Sequence, residues 1–483
     1  MRILLASSEI FPYSKSGGLA DMVAALAKSL AAAGHQVGVV TPLYAGIRER
    51  FHGLHPFDWR MQLPLGGNLV SASVWVAEPA ANLTLYFIDQ PGFFRRRGLY
   101  GTPQGEFADN ADRFVFFAKC VAHLARYLPW VPQVVHVNDW HTALTPLLIR
   151  HQALTDGWAA PPATCLTIHN LAYQGVYPAQ TFALSNLPWS YFTADGAEFH
   201  GQFNCLKTGL VSSDAITTVS PSYAGEIQTP DHGCGLEGVL RLRAGALTGI
   251  LNGVDYDEWR TTGNRFLAAP YEADDLSGKD ANKLALQREM GLPPMPGTPL
   301  FGMVTRLVHQ KGIDLALGAL EEMLAGDLQF VLLGSGLVEF QEAFLELEER
   351  HPLKAAIRLG YNHALAHRIE AGCDFFLMPS QFEPSGLNQM YSLRYGTVPV
   401  VRATGGLIDS VVDIRENLER ANGIKFRDYS TAALAKAMRK ALALYREPDL
   451  LLDYRRNGMR ADFSWDRSTA QYVEVYRRIT RRA

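Results

Sequence analysis

Apolar residues fall along this chain in short, nearly unbroken runs, separated by longer stretches in which they recur at helical spacing. That alternation predicts strands buried on both faces, with helices between them. Arg2 to Ala6 predicts a strand, Leu19 to Ala33 a helix closed by Gly34, and Gln36 to Thr41 a second strand. Together they predict a βαβ unit of a parallel sheet. Further strands are predicted at Leu83 to Ile88, Val134 to Val137, Ala163 to Ile168 and Ala215 to Val219. The pattern restarts with Leu300 to Thr305, Gln329 to Leu333, Ile357 to Leu359, Phe375 to Met378 and Val398 to Val401.

Between the two series, Asn252 to Pro299 is rich in glycine, proline and acids and shows little periodicity, which places a hinge near Gly249 to Asp255. Near the end, Tyr472, Val473, Val475, Tyr476 and Ile479 lie on a helical pattern within Ser468 to Thr480. The expected organisation is an α/β chain with two domains, 1–248 and 249–465, and a terminal helical segment, 466–483. At 483 residues the length agrees with two domains.

Composition narrows the class. The chain is 48% hydrophobic and 11% aromatic, as ordinary globular proteins are. Its 45 lysines and arginines against 48 acids leave a net charge of −3, so no global field favours nucleic acid or an anionic membrane. The basic runs Arg95 to Arg97 and Arg477 to Arg482 read as solvated surface. The first apolar run is cut off by Ser7, Ser8 and Glu9, and the five cysteines form no close pair, so a reduced, cytoplasmic setting is expected.

The candidate chemistry lies where strands hand over to helices. There, free N–H groups and the positive end of the helix dipole favour phosphate. Lys15-Ser16-Gly17-Gly18-Leu19 follows the first strand, and Thr404-Gly405-Gly406-Leu407 follows a strand of the second series. Glycine lets backbone approach an oxyanion closely, although paired glycines also serve plain turns. With one loop in each half, the two can face each other across a cleft and grip one diphosphate.

Arg306 and Lys311 are expected in a loop directly after a strand, where two cations suit a diphosphate leaving group. Glu383, in Gln381-Phe382-Glu383-Pro384-Ser385-Gly386-Leu387, is expected to reach the cleft, where a carboxylate accepts sugar hydroxyls; capping the next helix is the alternative. His169 and Asp139 sit at predicted strand ends. His136, Asp139 and His141 also suggest a metal, but strand alternation does not converge them, so no metal is expected. Asp255 and Asp257 read as a turn, and Gly334-Ser335-Gly336 lacks the third glycine of a dinucleotide fingerprint.

Taken in order, Lys15-Ser16-Gly17-Gly18-Leu19, Gly253-Val254-Asp255, Arg306 with Lys311, Glu383-Pro384 and Thr404-Gly405-Gly406-Leu407 resemble the motifs of glycogen and starch synthases. The resemblance spans nearly the whole chain. It implies two Rossmann-like domains facing across a cleft, the GT-B fold, with the terminal helix returning to the first domain. It also implies transfer of glucose from ADP-glucose to the non-reducing end of an α-1,4-glucan, with retention, no metal and no cofactor. The implied partners are the nucleotide sugar and glycogen or another α-1,4-glucan.

By the same resemblance Lys15, Arg306 and Lys311 hold the diphosphate, with the Gly17-Gly18 and Gly405-Gly406 backbones and Thr404 beside it. Tyr361 stacks on adenine, Glu383 and His169 hold the glucose, Asp139 lies near the reacting centre, and Asn252 contacts the donor. Ser385, Gly386 and Leu387 line the donor site. Many relatives have cysteine at the position of Ser385 and histidine at that of Asn138, departures that touch donor positioning and remove no charge. Two rivals remain open from sequence: a hydrolase or phosphorylase on the same glucan, and a glucan-binding protein that stacks sugars on Trp140, Tyr173 and Tyr177.

Overall fold

The computed structural model describes residues 1–102 and 104–481; Arg482, which ends the C-terminal basic run, lies outside the described residues. The chain forms two compact units. One comprises 1–219, 224–253 and the segment from Trp465 onward; the other comprises Ser220–Tyr223 and Val254–Ser464. The main division thus falls between Gly253 and Val254, and four residues of the earlier half cluster with the second unit.

The large sheet of the first unit is built from β1 (Arg2–Ala6), β2 (Gln36–Pro42), β3 (His55–Leu65), β4 (Asn68–Ala80), β5 (Leu83–Asp89), β6 (Val134–Asn138), β7 (Ala163–Ile168), β8 (Ala215–Thr218) and β9 (Leu247–Gly249). They pair in the order β9-β8-β7-β6-β1-β2-β5-β4-β3. Pairing is parallel except for β3 and β4, which close one edge antiparallel. Strands β1 and β6 lie side by side at the centre, so their carboxyl ends deliver neighbouring loops. Helix α1 (Gly18–Ala32) runs from the end of the paired-glycine loop and buries Leu19, Met22, Val23, Leu26 and Leu30, an i, i+3, i+4 stripe.

The second unit carries a fully parallel sheet of β10 (Leu300–Leu307), β11 (Gln329–Gly336), β12 (Ala355–Leu359), β13 (Phe375–Met378), β14 (Val398–Arg402) and β15 (Ile424–Phe426), in the order β12-β11-β10-β13-β14-β15. Alternation along its strands is strict. Phe330 and Leu332 join Phe375 and Leu377 in one core layer, whereas Val331, Leu333 and Phe376 enter the layer on the opposite face. Each such side chain withdrawn from water contributes roughly 1.5–3 kcal/mol, so neither face can be left uncovered. Helices coat both.

A helix over Ser277–Met290 occupies the stretch expected to be irregular. Its buried face carries Lys279, Asn282, Lys283 and Gln287 beside Leu286 and Met290, so no apolar stripe announces it. Lys279 Nζ donates to the carbonyls of Ala371 and Tyr395 and to Thr397 Oγ1, and Lys283 Nζ meets Asp374 Oδ2 at 2.7 Å. These polar contacts do the work that leucines do elsewhere.

The C-terminal helix Trp465–Thr480 packs in the first unit. Tyr476 Oη lies 2.7 Å from His136 Nδ1, Thr469 Oγ1 donates to Ser29 Oγ at 2.8 Å, and Ser468 Oγ donates to the Leu251 carbonyl at 2.7 Å. Gly253 explains itself here, because a Cβ at that position would meet Trp465 Cα at 2.8 Å. No described helix is long and apolar enough to cross a membrane. Of the basic runs, Arg95 pairs with Asp89 and Arg96 with Asp109, which makes them ordinary ion pairs.

Candidate active-site residues

In the first unit, the loop after β1 is held by a residue that sequence reasoning passed over. Glu9 is buried, and its carboxylate accepts from the Ser16 amide, from Ser16 Oγ at 2.5 Å, from the Gly17 amide at 3.4 Å and from Tyr100 Oη at 2.6 Å. The Ser16 and Gly17 amides therefore turn inward to a carboxylate and are not offered to an outside anion. A polar run buried straight after a central strand was the available signal. Lys15 is left at the rim, where its Nζ meets Asp21 at 2.8 Å with both side chains about a third exposed.

Asp139 and His169 come together at the ends of β6 and β7. Asp139 adopts a left-handed backbone, φ 55°, that few residue types tolerate. Its carboxylate accepts from the His169 amide at 2.8 Å and from the Asn170 amide. Asp139 thus braces the loop that presents His169.

Asn138 sets the ring of His169. Asn138 Nδ2 donates to the Ala6 carbonyl at 3.0 Å, so its Oδ1 accepts from His169 Nε2–H at 2.9 Å and leaves Nδ1 as the acceptor. Burial lowers the His169 pKa to about 3, so the ring is neutral and able to hydrogen-bond sugar hydroxyls without repelling a developing cation.

Burial raises the Asp139 pKa to about 7, outweighing its two amide hydrogen bonds. Because the folded state holds this proton more tightly than the unfolded chain does, the group favours folding at low pH, and that advantage is lost as pH rises towards 7. Asp139→Asn keeps the acceptor oxygen and removes the titration. Relative to the wild type, the variant should gain stability between pH 5 and pH 7, by up to about 1.4 kcal/mol per pH unit. Equal differences at both pH values, measured by denaturant unfolding, would show that Asp139 ionises normally.

His136, Asp139 and His141, which strand alternation was not expected to converge, take separate surroundings. His136 is buried between Tyr476 and Thr167, and His141 is sandwiched by Tyr100 and Trp140. Burial lowers both histidine pKa values to about 3. Trp140 itself is 9% exposed and lies against His141 and Phe114, so it is core and not a sugar platform; Tyr173 is the exposed ring of the three. Asp257 donates its amide to Asp255 Oδ1 at 3.0 Å, which is turn chemistry. Asn252 is buried, and its Oδ1 accepts no hydrogen bond among the described residues.

In the second unit, β10 continues through Leu307, so Arg306 lies on the strand and not in the loop beyond it, and its side chain is exposed. Lys311 ends a single turn, His309–Lys311, that follows. Its Nζ meets Glu383 Oε2 at 2.6 Å, and Ser380 Oγ donates to the same oxygen at 2.9 Å. Arg306, Lys311, Ser380, Glu383, Gly386 and Leu387 line a cavity of about 180 Å³. Cation and carboxylate, assigned separately from sequence, form one partly buried pair on its wall.

The paired glycines of the second unit serve packing. A Cβ on Gly405 would lie 2.0 Å from the Glu383 carbonyl oxygen, and one on Gly406 would lie 2.0 Å from that of Ser385. The Gly406 amide donates to the Glu383 carbonyl at 3.1 Å. Thr404 begins this loop, which thereby fixes the backbone of Glu383, Pro384 and Ser385. Ser385 Oγ is buried without a hydrogen-bond partner among the described residues, and Gly386 takes φ 67° to turn the segment into the next helix. Tyr361 stands 79% exposed after β12 and does not line the cavity.

Two Rossmann-like units, with polar sites at the carboxyl ends of their parallel strands, are the architecture of GT-B glycosyltransferases. Residues 2–242 match the family described as starch synthase catalytic domain, and residues 292–459 match glycosyl transferases group 1. The chain is similar to glycogen synthases of Anaeromyxobacter sp. strain Fw109-5, at 49% identity over 99% of both chains, and of Myxococcus xanthus, at 46% over 99% of both. It is also similar to the catalytic domain of starch synthase IV from Arabidopsis thaliana bound to ADP and acarbose, with a TM-score of 0.89, 33% identity and 99% coverage of both chains. The chain belongs to the glycogen and starch synthase family of glycosyltransferases. This membership sets aside the hydrolase and pure-binder readings.

Proposed function

We propose that the chain transfers glucose from ADP-glucose to the non-reducing end of an α-1,4-glucan, with retention of configuration, in the cytoplasm. The carrying observation is the Lys311–Glu383 pair beside Arg306 on one cavity wall, which puts cationic and sugar-accepting groups side by side. The ADP named with the Arabidopsis neighbour supports the adenine nucleotide.

Lys15, Arg306 and Lys311 neutralise the diphosphate as the bond from glucosyl C1 to phosphate oxygen breaks, with the glycine loops and Thr404 beside it. Tyr361 stacks on adenine, and Asn252, Ser385, Gly386 and Leu387 position the donor. Glu383 and His169 hold glucose hydroxyls, and Asp139 acts through His169. The acceptor hydroxyl attacks C1 from the face that ADP leaves, its proton passing to the departing phosphate oxygen. ADP and a glucan one residue longer result.

The test incubates the pure protein with glycogen and either ADP-glucose or UDP-glucose, reading nucleotide release beside label in polymer. ADP release matched by label incorporation, with a chelator present, is expected. Faster transfer from UDP-glucose, or abolition by the chelator, overturns the donor or the metal-free assignment.

A further inference from the structure

Three side chains of the second unit converge on one point that the transfer reaction does not use. His363 and His367 lie one turn apart on the helix His363–Gly372, and Glu258 reaches them from the segment after Val254. The i, i+4 spacing puts both rings on one helix face. His363 Nε2 lies 3.1 Å from Glu258 Oε1 and 3.3 Å from His367 Nε2, and all three ligand atoms fall within 4.8 Å of one another. We propose that Glu258, His363 and His367 form a binding site for a divalent transition-metal ion of the zinc type, which ties the segment after Val254 to this helix.

The geometry carries this. With zinc to nitrogen or oxygen distances near 2.0–2.1 Å, the edge of a ligand tetrahedron is about 3.4 Å, close to the two short separations here. The outer ring nitrogens each face a tyrosine hydroxyl. His367 Nδ1 lies 2.8 Å from Tyr395 Oη, and His363 Nδ1 lies 3.4 Å from Tyr361 Oη. A bound ion would take both Nε2 lone pairs beside the carboxylate, with the protons on Nδ1 donated to the tyrosine hydroxyls; Tyr395 Oη also accepts from Asn264 Nδ2 at 2.9 Å.

The outer shell is built too. His367 is buried, stacked on Trp259 at 4.1 Å, and its ring is oriented by Tyr395, as metal-bound imidazoles are held by a second partner. His363 and Glu258 are each more than a third exposed, which gives an ion a way in. Two histidines, one carboxylate and an open position suit zinc or cobalt, and not calcium or magnesium.

The experiment titrates Zn²⁺ into the tag-free, metal-stripped full chain at pH 7.5 by calorimetry, with Co²⁺ absorption as a second readout. One ion per chain at micromolar affinity or tighter is expected, with the visible bands of tetrahedral cobalt, a chelator-reversible rise in melting temperature, and affinity falling as pH drops to 6. His363→Gln and Glu258→Gln, both at accessible positions, should each weaken binding at least tenfold. His367→Gln serves as a third variant if folded. Absence of saturable one-to-one binding, or unchanged affinity in His363→Gln, overturns the site.

Discussion

Replacing Lys311 by alanine is expected to lower kcat/KM for glucosyl transfer by about 10²–10³-fold, equivalent to roughly 3–4 kcal/mol of transition-state stabilisation. Two losses combine. The leaving diphosphate loses a cation, and Glu383, whose side chain is 7% exposed, loses its 2.6 Å partner and is left with the hydrogen bond from Ser380 Oγ. An uncompensated carboxylate then faces the incoming diphosphate, which raises KM as well as lowering kcat.

The two losses separate by a second substitution. Glu383→Gln alone should impair transfer through its sugar contact, but added to Lys311→Ala it should cost less than the product of the single effects, because the stranded charge is gone. Fully multiplicative effects would mean that the pair acts as two independent residues. Wild-type transfer by folded Lys311→Ala protein would remove Lys311 from the chemistry.

Lys311 was legible from sequence because position decides it: a cation shortly after an apolar run lands at the carboxyl end of a parallel strand. The sheets were legible for the same reason, since runs such as Ala163–Ile168 are buried on both faces. The hairpin of β3 and β4 was not. It is an edge whose residues are largely half-exposed, with Pro56 and Pro64 interrupting any strand signal. The helix Ser277–Met290 was hidden by its buried lysines, and Glu9 by being an acid in a place where acids normally end a core strand.

What sequence could not give was the reason for each glycine pair. From composition the two loops look alike; in the fold they are opposites. Gly405 and Gly406 press against the backbone of Glu383 and Ser385, whereas a Cβ on Gly17 or Gly18 would meet nothing within 4 Å.

That contrast gives the other large expected effect. Gly405→Ala and Gly406→Ala place a methyl 2.0 Å from a carbonyl oxygen, and Gly405 also has φ 46°, so the main chain must move. Each should destabilise the protein by about 3 kcal/mol or more, or displace Glu383 enough to abolish transfer. Gly17 is extended, φ −156° and ψ −163°, and Gly18 opens α1, where alanine is the better helix former. Alanine at either position should leave the melting temperature nearly unchanged. With the fold intact, a tenfold or greater loss of transfer in those two variants would report the close approach of substrate to the loop. Full transfer by both would make the first pair turn chemistry after all, and leave Lys15 as that loop's only contribution to the reaction.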